Sequence, residues 1–456
     1  MTKTSTKDIL FARLRNGGIM SRRDKLHLVL LLSLPAILAQ LSTIIMQYID
    51  AMMVGRLGAN ASASIGLVST TTWLFGGLTA SLGAGFSVLV AHHIGAKEND
   101  RARDILQQGI FVCFCFSLLV SAFCFGIHNH LPHWLGGAPG VVSDASSYFM
   151  VWALMVPVMQ MLHLSNSMLR SSGNMLVPMV VGVLMCVLDI FFNTLFIPRW
   201  GVTGAALATA LAGSICALGS MVYLCGFSRE LRLVGHALHF LPERDILRRS
   251  LKIGLPMAVE HVVFCGAQIV STLIVAPLGT VAVAANAIGV TVESLCYMPG
   301  YGIGDAATTL VGQSVGAKRH DLVRSFSWLS VCIGVSVMTV MGIIMYIFAP
   351  ELMQFMNIDP HVQQVGTTAL RIEAYAEPMY AASIVAYGVF VGMGDTLVPC
   401  IMNLCSIWIV RIPLAWLLAS RMGLAGVWLA MCAELCVRGL IFLVRLYKKN
   451  KITFHR

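Results

Sequence analysis

The sequence repeats itself at a constant offset of 221 residues, and this internal repeat constrains the fold more than any other feature. The matched segments are Leu34-Pro35 with Leu255-Pro256, Leu57-Gly58 with Leu278-Gly279, Gly95-Ala96-Lys97 with Gly316-Ala317-Lys318, Pro157 with Pro378, Gly173 with Gly394, and Pro178 with Pro399. Near the end the offset increases by one residue, so that Gly204 matches Gly426. Two copies of one hydrophobic unit are typical of secondary transporters, which bind their substrate between the halves.

The composition places both copies in a membrane. The chain is 57% hydrophobic and 11% charged, and a soluble protein of 456 residues has no core large enough to bury that much apolar surface. Because a membrane-spanning helix needs about 20 apolar residues, the sequence predicts twelve spans without the alternating pattern of outer-membrane strands. They cover approximately 28–50, 62–91, 105–127, 145–169, 176–197, 202–226, 249–276, 282–311, 325–349, 365–392, 397–419 and 424–446.

Each repeat therefore holds six predicted spans, and an even number of spans gives both repeats the same orientation. The predicted fold is an all-α membrane protein with twelve transmembrane helices in two six-helix repeats. The predicted domains are a basic N-terminal segment (1–27), an N-lobe (28–226), a cytoplasmic linker (227–248), a C-lobe (249–446) and a basic tail (447–456). The N-terminal segment is expected to form an amphipathic helix on the inner membrane surface, because Ile9, Leu10, Phe11 and Leu14 alternate with basic residues.

The basic residues cluster on one side of the predicted membrane. The net charge is +10, and the basic residues lie before span 1, after spans 2 and 8, between spans 6 and 7, and in the tail. The alternate loops hold only Arg56, Arg199 and Arg421. This positive-inside pattern predicts cytoplasmic N and C termini in a multi-pass protein of the inner (plasma) membrane. The positive charge is therefore explained by topology and by contact with membrane lipids, and no nucleic-acid partner is expected.

Charged residues inside a membrane are costly and are candidates for function. In the first lobe, Asp50 lies near the outer end of span 1, which Pro35 is expected to kink. Asp189 and Asn193 are one turn apart on span 5 and share a helix face. Their oxygens suit a proton or a hard cation such as Na⁺. The alternatives are a solvated Asp50 at the headgroup level and a structural hydrogen bond between helices for the other two residues.

In the second lobe, four acids are candidates for binding a positively charged substrate or a proton: Glu260, Glu293, Glu373 and Glu377. Glu260 follows Pro256, the equivalent of Pro35, by four residues. Glu373 and Glu377 are one turn apart and could share a proton; the alternative is an ion pair with Arg371. Arg411 is expected to snorkel or to pair with an acid such as Glu434.

Several segments resemble those of the multidrug and toxic compound extrusion (MATE) exporters. They are YIDAMMVGRLG in span 1, VAPLGTVAVAANAIG entering span 8, LVGQSVGAK after it, GMGDTLVP before span 11, and VRIPLAWLL within it. The resemblance covers about residues 25–447. It implies a V-shaped, two-lobed transporter fold that exports cationic amphiphilic drugs in exchange for Na⁺ or protons.

The resemblance also implies roles for single residues. Asp50 matches the family's span 1 aspartate, which is tied to cation coupling. Asp189 and Asn193 match a span 5 pair in exchanged order, and Thr209 resembles a threonine that lines the same site. One branch of the family has a span 7 glutamate where this chain has Phe264, and a span 10 aspartate where it has Tyr380. The cation site is therefore expected in the first lobe.

The predicted function is secondary active export by alternating access, with H⁺ or Na⁺ exchanged for cationic drugs by a monomer that needs no cofactor. Cation coupling is assigned to Asp50, Asp189, Asn193 and Thr209, of which the first three would bind the metal if the ion is Na⁺. Substrate binding is assigned to Glu260, Glu293, Glu373 and Glu377. A lipid-linked saccharide flippase of the same wider superfamily is the alternative. Such flippases tend to carry more charge in the central cavity, and the few charged residues in the spans of this chain argue against it. An intramembrane enzyme is not expected, because no catalytic constellation is present.

Overall fold

The chain forms two compact helical units whose boundaries fall inside two long helices. The computed structural model describes residues 6–237 and 241–452, with side chains as far as residue 449, and it is helical without strands over that part of the chain. The N-unit comprises residues 41–261, and the C-unit comprises residues 1–40 together with 262–456. These units divide the chain at other points than the predicted lobes do, and the lobe boundaries stay a prediction.

The α-helices are numbered in chain order. They are α1 Thr6–Arg15, α2 Arg22–Gly55, α3 Ala59–Gly95, α4 Asn99–Ile127, α5 Leu131–Trp134, α6 Pro139–Ser171, α7 Leu176–Val222, α8 Arg244–Val275, α9 Thr280–Gly316, α10 His320–Met356, α11 Pro360–Ala374, α12 Glu377–Gly392, α13 Leu397–Cys405, α14 Ile412–Met422 and α15 Leu424–Ile452. Short π-helical segments cover Tyr223–Phe227 and Ser406–Arg411, and a 3₁₀ turn covers Ala276–Leu278.

Ten helices in the described part of the chain are long and apolar enough to cross a membrane. They account for eleven of the twelve predicted spans, because one helical segment, Leu176–Phe227, contains both span 5 and span 6. Gly201 breaks this segment with a positive φ of 56°, a conformation that glycine adopts without steric cost. The remaining predicted span, 365–392, forms the shorter helices α11 and α12, which are separated at Tyr375 and Ala376.

The sequence repeat is also a repeat of backbone geometry. Lys97 and Lys318, which are 221 residues apart, both have positive φ values, 64° and 55°, just after α3 and α9. Both close the helix with the same two hydrogen bonds, from Lys97 N to Ile94 O and Glu98 N to His93 O, and from Lys318 N to Val315 O and Arg319 N to Ser314 O. Gly173 and Gly394 form the same C-terminal motif after α6 and α12. Equivalent helices of the two repeats therefore end with the same backbone geometry.

The one-residue slip in the repeat coincides with a π-helical turn. The second repeat passes through Ser406–Arg411 in π conformation, whereas the corresponding part of α7 has no π segment. A π turn accommodates one more residue than an α turn, so it shifts everything after it by one position. The positive-φ glycines of the two repeats, Gly201 and Gly423, accordingly lie 222 residues apart.

The opening helix of each repeat packs with the other repeat along its first half. In the C-unit, α2 approaches α9 so closely that a Cβ at Gly302 would lie 2.6 Å from Ile37 N. In the N-unit, α8 approaches α3, and a Cβ at Gly254 would lie 2.7 Å from Ser81 O. The chain therefore passes from one unit to the other inside a continuous helix, after Gln40 in α2 and after His261 in α8.

The N-terminal helix α1 packs on protein, which differs from the expected position on the membrane surface. Leu10, Phe11 and Leu14 are all buried, with Leu14 fully so. Arg15 Nε donates to Gln313 Oε1 over 3.1 Å, and Arg319 donates to the carbonyl oxygen of Gly18 over 3.1 Å. The amphipathic pattern correctly predicts a helix, but the apolar face of that helix is buried against other residues of the C-unit.

Candidate functional site

The centre of the N-unit site is one amide group that bridges two carboxylates. Asn193 Nδ2 donates to Asp50 Oδ1 over 2.7 Å and to Asp189 Oδ2 over 2.9 Å. Asp189 and Asn193 are one turn apart on α7, and Asp50 comes from the last part of α2. The structure thus brings together the three residues that the sequence assigns to cation coupling, and Asp50 is half-buried rather than solvated.

Two oxygens of this site have no hydrogen-bond partner among the described residues. They are Asp189 Oδ1 and Asn193 Oδ1, and both side chains are at most 1% exposed. No Lys or Arg of the described residues pairs with either carboxylate. Two ionised carboxylates on one amide nitrogen repel each other strongly in a low dielectric, so the arrangement favours binding a proton or a small cation. Carboxylate and amide oxygens are suitable ligands for Na⁺ if the ion is a metal.

Packing around the site holds the three side chains in place. Val54 on α2 and Ile197 and Val202 on α7 form one buried cluster, and Tyr148 of α6 packs against it. Tyr148 is also close enough to Asp50 and Asp189 to interact with both electrostatically. Tyr148 is not among the site residues that the sequence predicts, because a tyrosine in an apolar helix carries no signal of its partners.

Thr209 belongs to the same long helix but is not hydrogen-bonded to the three residues. Its hydroxyl donates to Ala205 O of its own helix over 3.2 Å, and its side chain is half-buried. Ala205 contributes to the buried cluster next to the site. The role assigned to Thr209 stays a prediction.

A second group of polar side chains is buried in the C-unit. Glu293 of α9, Glu373 of α11 and Glu377 of α12 are 5%, 0% and 1% exposed. Glu293 and Glu377 are both close enough to Glu373 to act on its carboxyl group. Three of the four acids predicted to bind substrate therefore form one cluster.

The basic residues of this cluster have other partners than the sequence suggests. Glu434 forms its salt bridge with Arg438, one turn away on α15, at 3.0 Å, and accepts a hydrogen bond from Ser406 Oγ over 2.5 Å. The expected Arg411–Glu434 pair is therefore replaced, and Arg411 acts electrostatically on Glu293 and Glu373. Arg371 lies over the Tyr346 ring, 5.3 Å from its centroid, so the alternative of an Arg371–Glu pair is wrong.

Glu260, the fourth predicted acid, is half-buried on α8. The next residue, His261, stacks on Trp73 with ring centroids 6.5 Å apart, and its Nε2 lies 2.9 Å from Trp73 O. Glu260 thus directly precedes one member of an aromatic pair of the N-unit, on a different helix from Asp50 and Asp189.

Comparison with known proteins identifies the family. The MatE family model matches residues 35–195 and 256–417, which are the two repeats. "Probable multidrug resistance protein NorM" of Thermotoga maritima is 28% identical over 91% of this chain and 90% of its own length. The protein of the same name from Chromobacterium violaceum is 25% identical over 93% and 94%.

Solved structures show the same fold. The crystal structure of MATE in the straight conformation has a TM-score of 0.90 at 20% identity and covers 100% of both chains. A transporter of the MOP superfamily from Pyrococcus furiosus has a TM-score of 0.89 at 20% identity over 99% of each chain. The two-lobed, all-helical architecture, the family match and the multidrug-resistance relatives agree. The chain therefore belongs to the MatE family of membrane transporters, which are not enzymes.

Proposed function

We propose that this protein exports cationic amphiphilic compounds in exchange for H⁺ or Na⁺, with Asp50, Asp189 and Asn193 as the coupling site. The observation that carries the proposal is the amide of Asn193, which bridges two carboxylates. One oxygen of Asp189 and the amide oxygen of Asn193 are buried there without a hydrogen-bond partner among the described residues. Such a site binds a cation most tightly when water is excluded, because little else compensates its negative charge.

Coupling requires that the ion binds two conformations of the protein with different affinity. Asp50 comes from α2 and the other two residues from α7, so a movement of one helix relative to the other changes the site directly. A bound proton or Na⁺ removes the repulsion between the carboxylates and stabilises the conformation in which the three residues are close. Release of the ion favours the conformation in which they separate.

Glu260 is the acid that we assign to substrate recognition. It is half-buried, and the next residue on its helix, His261, stacks on Trp73. An acid next to aromatic rings suits a compound that is both cationic and apolar. Glu293, Glu373 and Glu377 expose little surface to a bulky drug in this structure.

The basic residues support a location in the inner (plasma) membrane with both termini in the cytoplasm. The three residues of the site are hydrogen-bonded to one another. We also propose that the transporter works as a monomer in contact with lipids. The relatives' names contain multidrug resistance, which supports drug export over the flippase alternative.

Efflux from reconstituted vesicles tests the proposal. Vesicles that contain the purified protein are loaded with a fluorescent cationic dye. A Na⁺ gradient and a pH gradient are then imposed in separate experiments. Efflux driven by one gradient establishes antiport and identifies the ion. If several dyes respond to neither gradient, the antiport proposal fails and the flippase becomes the better explanation.

A further inference from the structure

The buried cluster of the C-unit contains more acids than bases. Its members are Glu293, Glu373, Glu377 and Glu434, with Arg411 and Arg438. Glu434 is satisfied by Arg438 and Ser406, and Arg411 and Arg438 are the basic groups that act on Glu293. Two guanidinium groups thus face four carboxylates, so two positive charges are too few for four ionised acids.

Glu373 and Glu377 differ from Glu434 in having no hydrogen-bonded partner among the described residues. All four of their carboxyl oxygens are buried without a hydrogen-bond partner among the described residues. The charged groups around Glu373 are Glu293 from α9, Glu377 from α12, Arg411 from the π turn and Glu434 from α15. From α10 the neighbour of Glu377 is a glycine, Gly342, where a Cβ would lie 3.0 Å from Glu377 Cβ.

Burying an ionised carboxylate without a partner in a medium of low polarity is so unfavourable that such a group becomes neutral instead. A proton neutralises a carboxylate without needing further ligands. A metal ion would need several more oxygens, and the described residues hold no group of His, Cys, Asp and Glu suited to a metal. The nearby guanidinium groups also repel a metal cation.

The backbone beside the cluster provides an independent sign of function. Ser406 and Arg411, which contact Glu434 and act on Glu373, are the first and last residues of the π turn. Single π turns inside helices are rare and occur frequently at functional sites. This one is also the place where the second repeat gains its additional residue.

We propose that Glu373 and Glu377 form a proton-exchange centre in the C-unit, separate from the Asp50–Asp189–Asn193 site. Each carboxylate takes up a proton from water as an O–H bond forms, and it returns the proton to water when the bond breaks. The sequence leaves open whether these two acids contact a cationic substrate or share a proton, and the proposal commits to the proton. As a contribution to transport it rests on the proposed antiport function, whereas the protonation itself does not.

The first test measures protonation without transport. Infrared spectra of the full-length protein in lipid nanodiscs at neutral pH report the carbonyl stretch of protonated carboxylic acids. Glu373→Gln and Glu377→Gln should each remove part of this absorption. Glu351→Gln, at an exposed position on α10, is the matched control and should leave it unchanged. Spectra of both variants identical to that of the control would overturn the proposal.

Thermal unfolding of the same samples guards against misfolded variants. Glutamine has nearly the shape of a protonated glutamic acid, so each variant should unfold within a few degrees of the wild type at neutral pH. A large loss of stability in both single variants would mean that the carboxylates are ionised and paired, and it would count against the proposal.

The second test measures the number of protons exchanged per dye molecule. In vesicles, this number follows from the dye gradient that a given pH gradient sustains. Glu373→Gln with Glu377→Gln should lower it by at least one proton while efflux continues, and an unchanged number excludes a role in coupling. If the wild type responds to no ion gradient, the proposed antiport fails, but the infrared result still decides whether the two acids bind protons.

Discussion

The two units share their backbone design but differ in how they bury charge. In the N-unit, one amide bridges two carboxylates, and no basic side chain of the described residues compensates them. In the C-unit, four acids surround two guanidinium groups. The positions are not equivalent in the repeat: Glu373 and Glu377 correspond to Trp152 and Val156, and Asp50 corresponds to Ser271.

The comparison indicates that the two repeats keep the same helix ends and the same close contacts between helices, but not the same polar sites. The N-unit site depends on an added ion for neutrality, whereas the C-unit cluster carries two counter-charges of its own for its four acids. A cation from solution should therefore have a larger effect on the N-unit.

The largest expected effect follows from removing one carboxylate of the N-unit site. Asp50→Asn should leave the protein in the membrane but abolish drug resistance and gradient-driven dye efflux, because the site loses the repulsion that a coupling ion relieves. Asp144→Asn, at an exposed position in the same unit, is the matched control. Normal efflux by Asp50→Asn would remove this site from the mechanism.

In the C-unit the corresponding change should act on stability. Arg438→Met leaves Glu434 buried without its ion-pair partner, which is expected to cost about 3–5 kcal/mol. Adding Glu434→Leu should recover most of the loss, because the uncompensated charge is gone. Chemical unfolding of the purified protein measures both variants. A cost well below that of a buried ion pair would mean that the cluster does not carry its own counter-charges.

A smaller effect is expected at a pair of equivalent helix ends. Asp395 pairs with Arg445 at 2.6 Å and with Lys449. Burial opposes ionisation of Asp395, but hydrogen bonds from Lys449 and Arg445 outweigh it and lower its pKa. The equivalent Asn174 instead donates to Tyr223 Oη over 3.4 Å.

Asp395→Asn should therefore cost about 1 kcal/mol or less at neutral pH, as is usual for partly exposed ion pairs. A carboxyl group with a lowered pKa stabilises the fold above its unfolded-state pKa and loses that contribution as the pH falls through its folded-state pKa. The difference from the wild type should vanish in acid. Asn174→Gln, in the other unit, should show no such pH dependence in unfolding experiments.

The smallest effect tests what the units share. Lys97→Gly and Lys318→Gly should each stabilise the protein by up to about 1 kcal/mol, because a left-handed conformation is costly for any residue with a Cβ. Both lysines are exposed, so little packing is lost. Unfolding midpoints should rise by similar amounts in the two variants. A gain in only one of them would show that the repeats differ in backbone strain.

The sequence predicted the helical class and most spans because apolar length and the repeat are local signals. It also predicted Asp50, Asp189 and Asn193 as a group, through helix spacing and a family resemblance. It did not predict that one nitrogen of Asn193 joins both carboxylates, since α2 and α7 are distant in sequence.

Partners within the C-unit were harder to predict. Glu434 pairs with Arg438, one turn away on its own helix, and not with Arg411, which ends a π turn that the sequence does not signal. The docking of α1 could not be seen either, because an amphipathic helix has the same pattern whether its apolar face meets lipid or protein. Only the contacts of Leu14 and Arg15 distinguish the two.

The first half of each repeat's opening helix belongs to the unit of the other repeat, and this has a consequence for a chain that is cut in two. The polypeptide passes from one unit to the other only at Gln40 and at His261, so the described part of the linker belongs to the N-unit. His236 and Asp104, 2.9 Å apart, bind that linker to α4. A cut within the linker would give two fragments. Each fragment would hold most of one unit but lack the half-helix of that unit that lies on the other fragment. Neither fragment should accumulate when expressed alone, and the two together should reassemble a working transporter.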